Sequence, residues 1–200
     1  MPERAFLAIK ASKTKAYISV GKNRRYQGRL QVIYECNIDV DFNGAVLFVY
    51  PCLMDLFGGA IEDGQNILEA FTSTNKGDEI LDLGWAWPIM GIHDGSYRIR
   101  FFIDETSEAT DRKVLFEDKY FYLDVCDDLY LADMAVFWEW ETYTGWKKIP
   151  VPIGKYKGSI AGVHTRDENG ETLYGFDIQL HTIAEAFNRT VEPRSDSRLV

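Results

Sequence analysis

The sequence predicts a mainly β protein, an antiparallel β-sandwich of about eight to ten strands with one or two short helices. Three observations predict it. Apolar and polar residues alternate at period two through many short segments. Gly, Asn, Asp and Pro punctuate these segments at short intervals, as turns require. Aromatic residues make up 14% of the chain and include five Trp, a composition that suits pleated, half-buried surfaces.

Taken in order, Ala5 to Ile9 is a short apolar run, and Ala16, Ile18 and Val20 alternate with polar neighbours. Leu30, Val32, Tyr34 and Cys36 alternate in the same way. Asn43-Gly44, a favoured turn pair, precedes the run Ala45 to Tyr50. Residues 29–39 and 44–50 therefore read as a hairpin, which Pro51 ends because proline cannot donate to a ladder. Between Leu53 and Thr74 the glycines Gly58, Gly59 and Gly64 interrupt the pattern, and Ile67, Leu68 and Phe71 recur at helical spacing. That predicts a loop and one short helix over 65–71, followed by a turn at 75–78.

A unit then occurs twice. Gly84-Trp85 leads through Pro88 to Gly95-Ser96-Tyr97, an alternating strand, a polar loop and a return through Phe121, Leu123 and Val125. Gly145-Trp146 leads through Pro150 to Gly154-Lys155-Tyr156, a strand, a polar turn and a return through Phe176, Ile178 and Leu180. The two copies, 84–125 and 145–180, read as a duplicated hairpin. In each, Gly relaxes the backbone at the entry, and Tyr opens the inward face with its hydroxyl at the rim. Between them, Met134, Val136, Trp138 and Trp140 alternate with Ala135, Phe137, Glu139 and Glu141, which predicts a strand with a Trp-bearing face and a mixed, partly acidic face. Residues 1–187 read as one domain and 188–200 as a loose tail.

Formal net charge is −9. Such a field repels phosphate backbones, so nucleic acid is disfavoured as a partner and a basic protein is favoured. Cys36, Cys52 and Cys126 match no zinc spacing and read as reduced thiols of a cytoplasmic protein. No apolar run is long enough to span a membrane, and no cofactor motif occurs.

Chemistry-bearing constellations are few. His164 and His181 fall at opposite ends of the second hairpin, so they cannot share a metal or a proton. In the register that opposes residues 165 and 172, His164 faces Leu173 and His181 faces Tyr156. Asp167 to Gly170 reads as a hairpin turn. Asp124, Asp127 and Asp128 cluster at a strand end and are the candidate cation ligands, since hard cations take carboxylate oxygens on loops. No nucleophile elbow is present. Glu139 and Glu141, interleaved with Trp138 and Trp140, suit either an acidic recognition strip or a carboxylate pair beside a sugar.

The segment Ile92 to Val125, with its Gly-x-Tyr start and aromatic return, resembles the C-terminal hairpin of competence protein J, and Pro152 to Leu180 is similar. That family consists of small bacterial β proteins that inhibit a partner nuclease. The resemblance covers about a third of the chain, leaves the N-terminal part unmatched and carries no functional residue across. It implies a non-enzymatic inhibitor or immunity-like module. Together with the charge, it predicts binding of a basic partner through Trp138, Trp140, Glu139, Glu141, Asp127 and Asp128. The alternative is a carbohydrate-binding or hydrolytic protein using the same Trp and carboxylates.

Overall fold

The computed structural model describes residues 34–104, 112–167, 169–189 and 191–199. The expected strands over 5–9 and 16–20 lie outside them. Among the described residues there are nine strands and four helices: β1 (Tyr34–Val40), β2 (Gly44–Tyr50), α1 (Cys52–Asp55), α2 (Leu68–Ser73), α3 (Lys76–Leu83), β3 (Ala86–Met90), β4 (Gly95–Ile103), β5 (Lys113–Val125), β6 (Asp128–Asp133), α4 (Ala135–Trp138), β7 (Lys147–Ile149), β8 (Gly154–Arg166) and β9 (Thr172–Ile183). They form a five-stranded sheet, β1-β4-β9-β8-β5, and a four-stranded sheet, β3-β2-β6-β7. The predicted sandwich is present, and every strand pair is antiparallel except β4 with β9.

The four-stranded sheet is a middle layer, which explains why β2 is apolar throughout. Leu47, Val49, Trp87, Leu129 and Leu131 face the five-stranded sheet and join Tyr97, Ile99, Phe121, Tyr156 and Phe176 in the main core. Val46, Phe48, Tyr130 and Ala132 face the other way, into a second core covered by Ile67, Ile80, Phe137 and Trp140. A strand buried on both faces loses its alternation and becomes a continuous hydrophobic run.

Several expected pairings differ. β1 and β2 are not a hairpin: β1 pairs with β4, while β2 pairs with β3 and β6 in the other sheet. The Asp41–Gly44 turn carries the chain between layers. The first copy of the repeat is not a hairpin either, because β9 and β8 lie between β4 and β5. The second copy is one, with β8 against β9. Its register is one step from that expected, so His164 faces Tyr174 and His181 faces Lys157. The turn at its tip is held as expected by Asp167 Oδ1, which accepts the N–H groups of Asn169 and Glu171 at 2.9 and 2.7 Å.

The helical layer is also richer than predicted. The short helix begins at Leu68 rather than Gln65. Residues 76–78 open α3 instead of a turn, and Gly84 (φ 70°) is its left-handed C-cap, with its N–H on the Leu81 carbonyl. Gly84 thus ends a helix, whereas Gly145 (φ 70°) faces open space in a loop. The segment 134–141 is not a strand but the single turn α4 and a loop. Met134, Phe137 and Trp140 also recur every third residue, and burying all three in the second core requires the helical turn.

The chain beyond residue 187 is docked rather than loose. Arg189 pairs with Asp78 and Asp82 of α3 and with Glu192. Arg194 forks onto Asp118 of β5 and lies over the Phe116 ring. The Ser197 N–H donates to the Met90 carbonyl, and Leu199, 2% exposed, enters the main core. A Cβ on Gly162 would come within 2.6 Å of Leu199 Cδ2, so the missing side chain makes the socket. The segment bridges the facing edge strands β3 and β5, and the domain therefore includes it. Cys52 and Cys126 are joined in a disulfide rather than free; Cys36 is a free thiol.

Candidate partner-binding site

The Asp133 carboxylate organises one end of the sandwich. Its Oδ2 accepts the backbone N–H groups of Asp41 at 2.5 Å and Phe42 at 3.2 Å, and its Oδ1 accepts that of Ala135 at 2.6 Å. The Gly91 N–H donates to the Asn43 carbonyl at 2.9 Å, and the Met134 N–H to the Gly44 carbonyl at 2.9 Å. The β1–β2 turn, the β3–β4 turn and α4 are thereby locked together. This places the Phe42 ring 5.8 Å from the Trp138 ring. Trp138 is 56% exposed and Phe42 37%. Exposed carboxylates flank the pair in the chain, Asp41 before Phe42 and Glu139 after Trp138; Asp94 is exposed in the β3–β4 turn, which the Gly91–Asn43 bond ties to the β1–β2 turn, and Asp39 is exposed near the end of β1.

The predicted strip does not stay together. Trp138 and Glu139 lie at this end. Trp140 is fully buried, with its Nε1–H on Thr142 Oγ1 at 3.2 Å and its backbone bonded to Gln65 and Gly64. Glu141 is exposed on the following loop, so the same-face spacing expected of Glu139 and Glu141 on a strand does not arise. Asp127 and Asp128 are at the far end of β6, roughly 17 Å from Asp133 at strand rise.

At that far end the three candidate cation ligands each have local work. Asp124 accepts the Tyr122 hydroxyl at 3.1 Å. Asp127 Oδ1 accepts the Asp128 N–H at 2.7 Å, and Asp128 pairs with Lys148 at 2.5 Å. Among the described residues, no group of three or more His, Cys, Asp or Glu is gathered as a metal would need. Burial, with the Asp124 charge second, pushes the Tyr122 phenol up to about 12. Tyr130 is pushed up to about 12 by burial and by Asp128.

Sequence reasoning missed Phe42 and Asp133. Phe42 carried a signal, being a large aromatic residue set between Asp41 and the Asn43-Gly44 turn, outside any period. Asp133 carried none, because its three backbone partners come from two segments far apart in the chain.

No protein-family model matches the chain, and no curated protein matches it. Among solved structures it is similar to one named "Crocagin biosynthetic gene J", with 12% identity and a TM-score of 0.46, over 75% of this chain and 96% of that one. A likeness at that level bears on neither ligand nor partner. No helix among the described residues is long and apolar enough to cross a membrane.

Proposed function

We propose that this protein is a non-enzymatic, inhibitor-type binding module that docks a basic partner on the acidic, aromatic end built by Asp133. The observation that carries the reading is the exposed Phe42–Trp138 pair, flanked in the chain by the exposed carboxylates Asp41 and Glu139. Large aromatic side chains ringed by polar groups are the usual energetic centres of interfaces. The net charge of −9 adds long-range steering toward a cationic surface. The hairpin resemblance to competence protein J supports the inhibitor reading through β8–β9 alone, since β4 and β5 are not paired. The Cys52–Cys126 bridge favours an oxidising compartment over the cytoplasm expected at first.

Affinity capture with wild type and a Phe42→Ala/Trp138→Ala double variant, at low and high salt, tests the reading. A stoichiometric basic protein should be held by wild type, released by salt and lost with the variant. A partner retained equally by the variant would overturn it.

A further inference from the structure

A concave feature adjoins the Trp138 end through α4. α2, α3, β3, α4 and the C-terminal segment enclose a cleft of about 340 Å³. Leu68, Phe71, Met90, Met134, Phe137 and Pro193 supply its apolar lining. The volume lies at the lower end of the range for small-ligand sites. Residues 137 and 138 of α4 connect the two features: Phe137 lines the cleft, and Trp138 stands exposed on the acidic end.

The rim is polar and acidic. Thr72, Thr74, Asp78 and Glu192 supply the polar lining of the cleft. The side chains of Asp78 and Glu192 are each 73% exposed. Arg189 holds Asp78, Asp82 and Glu192 together, so three carboxylates meet one guanidinium and the rim keeps a net negative charge. An apolar floor beneath such a rim suits a segment that carries large apolar side chains flanked by Lys or Arg. An anionic amphiphile would meet repulsion at the same rim.

We infer that this cleft receives a basic, amphipathic segment of the partner, with an apolar side chain inserted between Phe71, Met90 and Met134. The inference deepens the proposed function and rests on it. Its affinity is driven by the apolar insertion, and its selectivity by the rim charge.

The methionines allow a direct test. In protein labelled at the methionine ε-methyl groups, Met90 and Met134 report on the cleft, while Met54 packs in the second core away from the lining. The probe is a synthetic twelve-residue peptide of Lys and Leu in amphipathic order. The expected result is saturable shifting of Met90 and Met134 with Met54 unmoved, and no shifting with the peptide that has Glu in place of Lys. Leu68→Gln and Asp78→Lys should each weaken the Lys/Leu peptide at least tenfold. Asp78 is 73% exposed, and Asp82 and Glu192 still hold Arg189 in Asp78→Lys, so this variant keeps the test alive should Leu68→Gln fail to fold.

Absence of shifts at Met90 and Met134 would overturn the inference. So would equal binding of the Glu peptide, or affinity unchanged by Asp78→Lys. Binding that is lost in Phe42→Ala/Trp138→Ala but kept in both cleft variants would place the occupant on the aromatic end alone. The cleft inference would then fall while the proposed function stood.

Discussion

The Tyr156 hydroxyl donates to the carbonyl oxygen of Pro152, four residues upstream, at 2.7 Å. Tyr97 makes the same bond to His93 at 2.8 Å. Both tyrosines are buried, and both sit two residues after the glycine that opens a strand of the five-stranded sheet. Each bond pins the incoming loop to the first inward position of its strand, as a tyrosine corner does in other sandwiches. This local device is what the two Gly-x-Tyr segments share.

Tyr156→Phe and Tyr97→Phe should each lower stability by about 1–2 kcal/mol, because a carbonyl loses its partner while the ring stays packed. Denaturant midpoints of the two variants would measure it. A loss confined to one of them would show that the corners are not equivalent.

Alkali should unfold the protein in a definite window. Tyr122 and Tyr130 titrate near 12 in the folded state against an ordinary 10.0. A raised folded value means that the native state holds its protons longer than the unfolded one. Their contribution is therefore full below pH 10 and is lost as pH rises from 10 toward 12. Tyr130→Phe should flatten that loss in a pH series of melting curves.

The two tryptophans that share a sequence pattern should behave oppositely. Trp138→Ala is expected to change stability by less than about 0.5 kcal/mol while weakening partner capture. Trp140→Ala removes a fully buried ring and should cost about 3–5 kcal/mol. Thermal melts alongside capture would separate the roles.

Leu199→Ala should cost about 2–4 kcal/mol, the range for a buried leucine whose site collapses incompletely. Gly162→Ala should act in the same direction, since its Cβ would press on Phe116 and Leu199. In both variants limited proteolysis should cut beyond residue 187 faster than in wild type. Equal cutting would mean that Leu199 does not anchor the segment.

Reducing the Cys52–Cys126 bond, or replacing both residues by Ser, should destabilise by about 2–4 kcal/mol, as expected for closure of a long loop. The two cysteines are 74 residues apart in sequence. Melting curves with and without reductant would show the difference in wild type and none in the double variant.

Local chemistry made much of the fold legible. The strands β2, β4, β5, β8 and β9 lie close to the apolar or alternating segments, whereas β6 precedes the segment expected as a strand, and Gly-x-Tyr marks the corners where they occur. The polar turn at Asp167 closes the β8–β9 hairpin as its residues predict. Of the candidate site, Trp138 and Glu139 were legible as an exposed aromatic beside a carboxylate. Trp140, Asp127 and Asp128 were grouped with them only because they are near in sequence. The single turn of α4 sends Trp140 inward, and the length of β6 removes the two aspartates to the other end.

What the sequence by itself determined was several of the strands, the sandwich class and the acidic character, since these follow from side-chain period, turn residues and composition. Only the tertiary structure decided which strands are neighbours. β9 enters between β4 and β8 because the sheet closes around residues more than seventy positions apart, and no local pattern encodes that pairing. The same holds for the second core behind β2, the seat of Leu199 in the gap at Gly162, and the grip of Asp133 on Phe42. Each is a contact between distant segments, stabilised by burial and by the satisfaction of backbone donors after the layers have met.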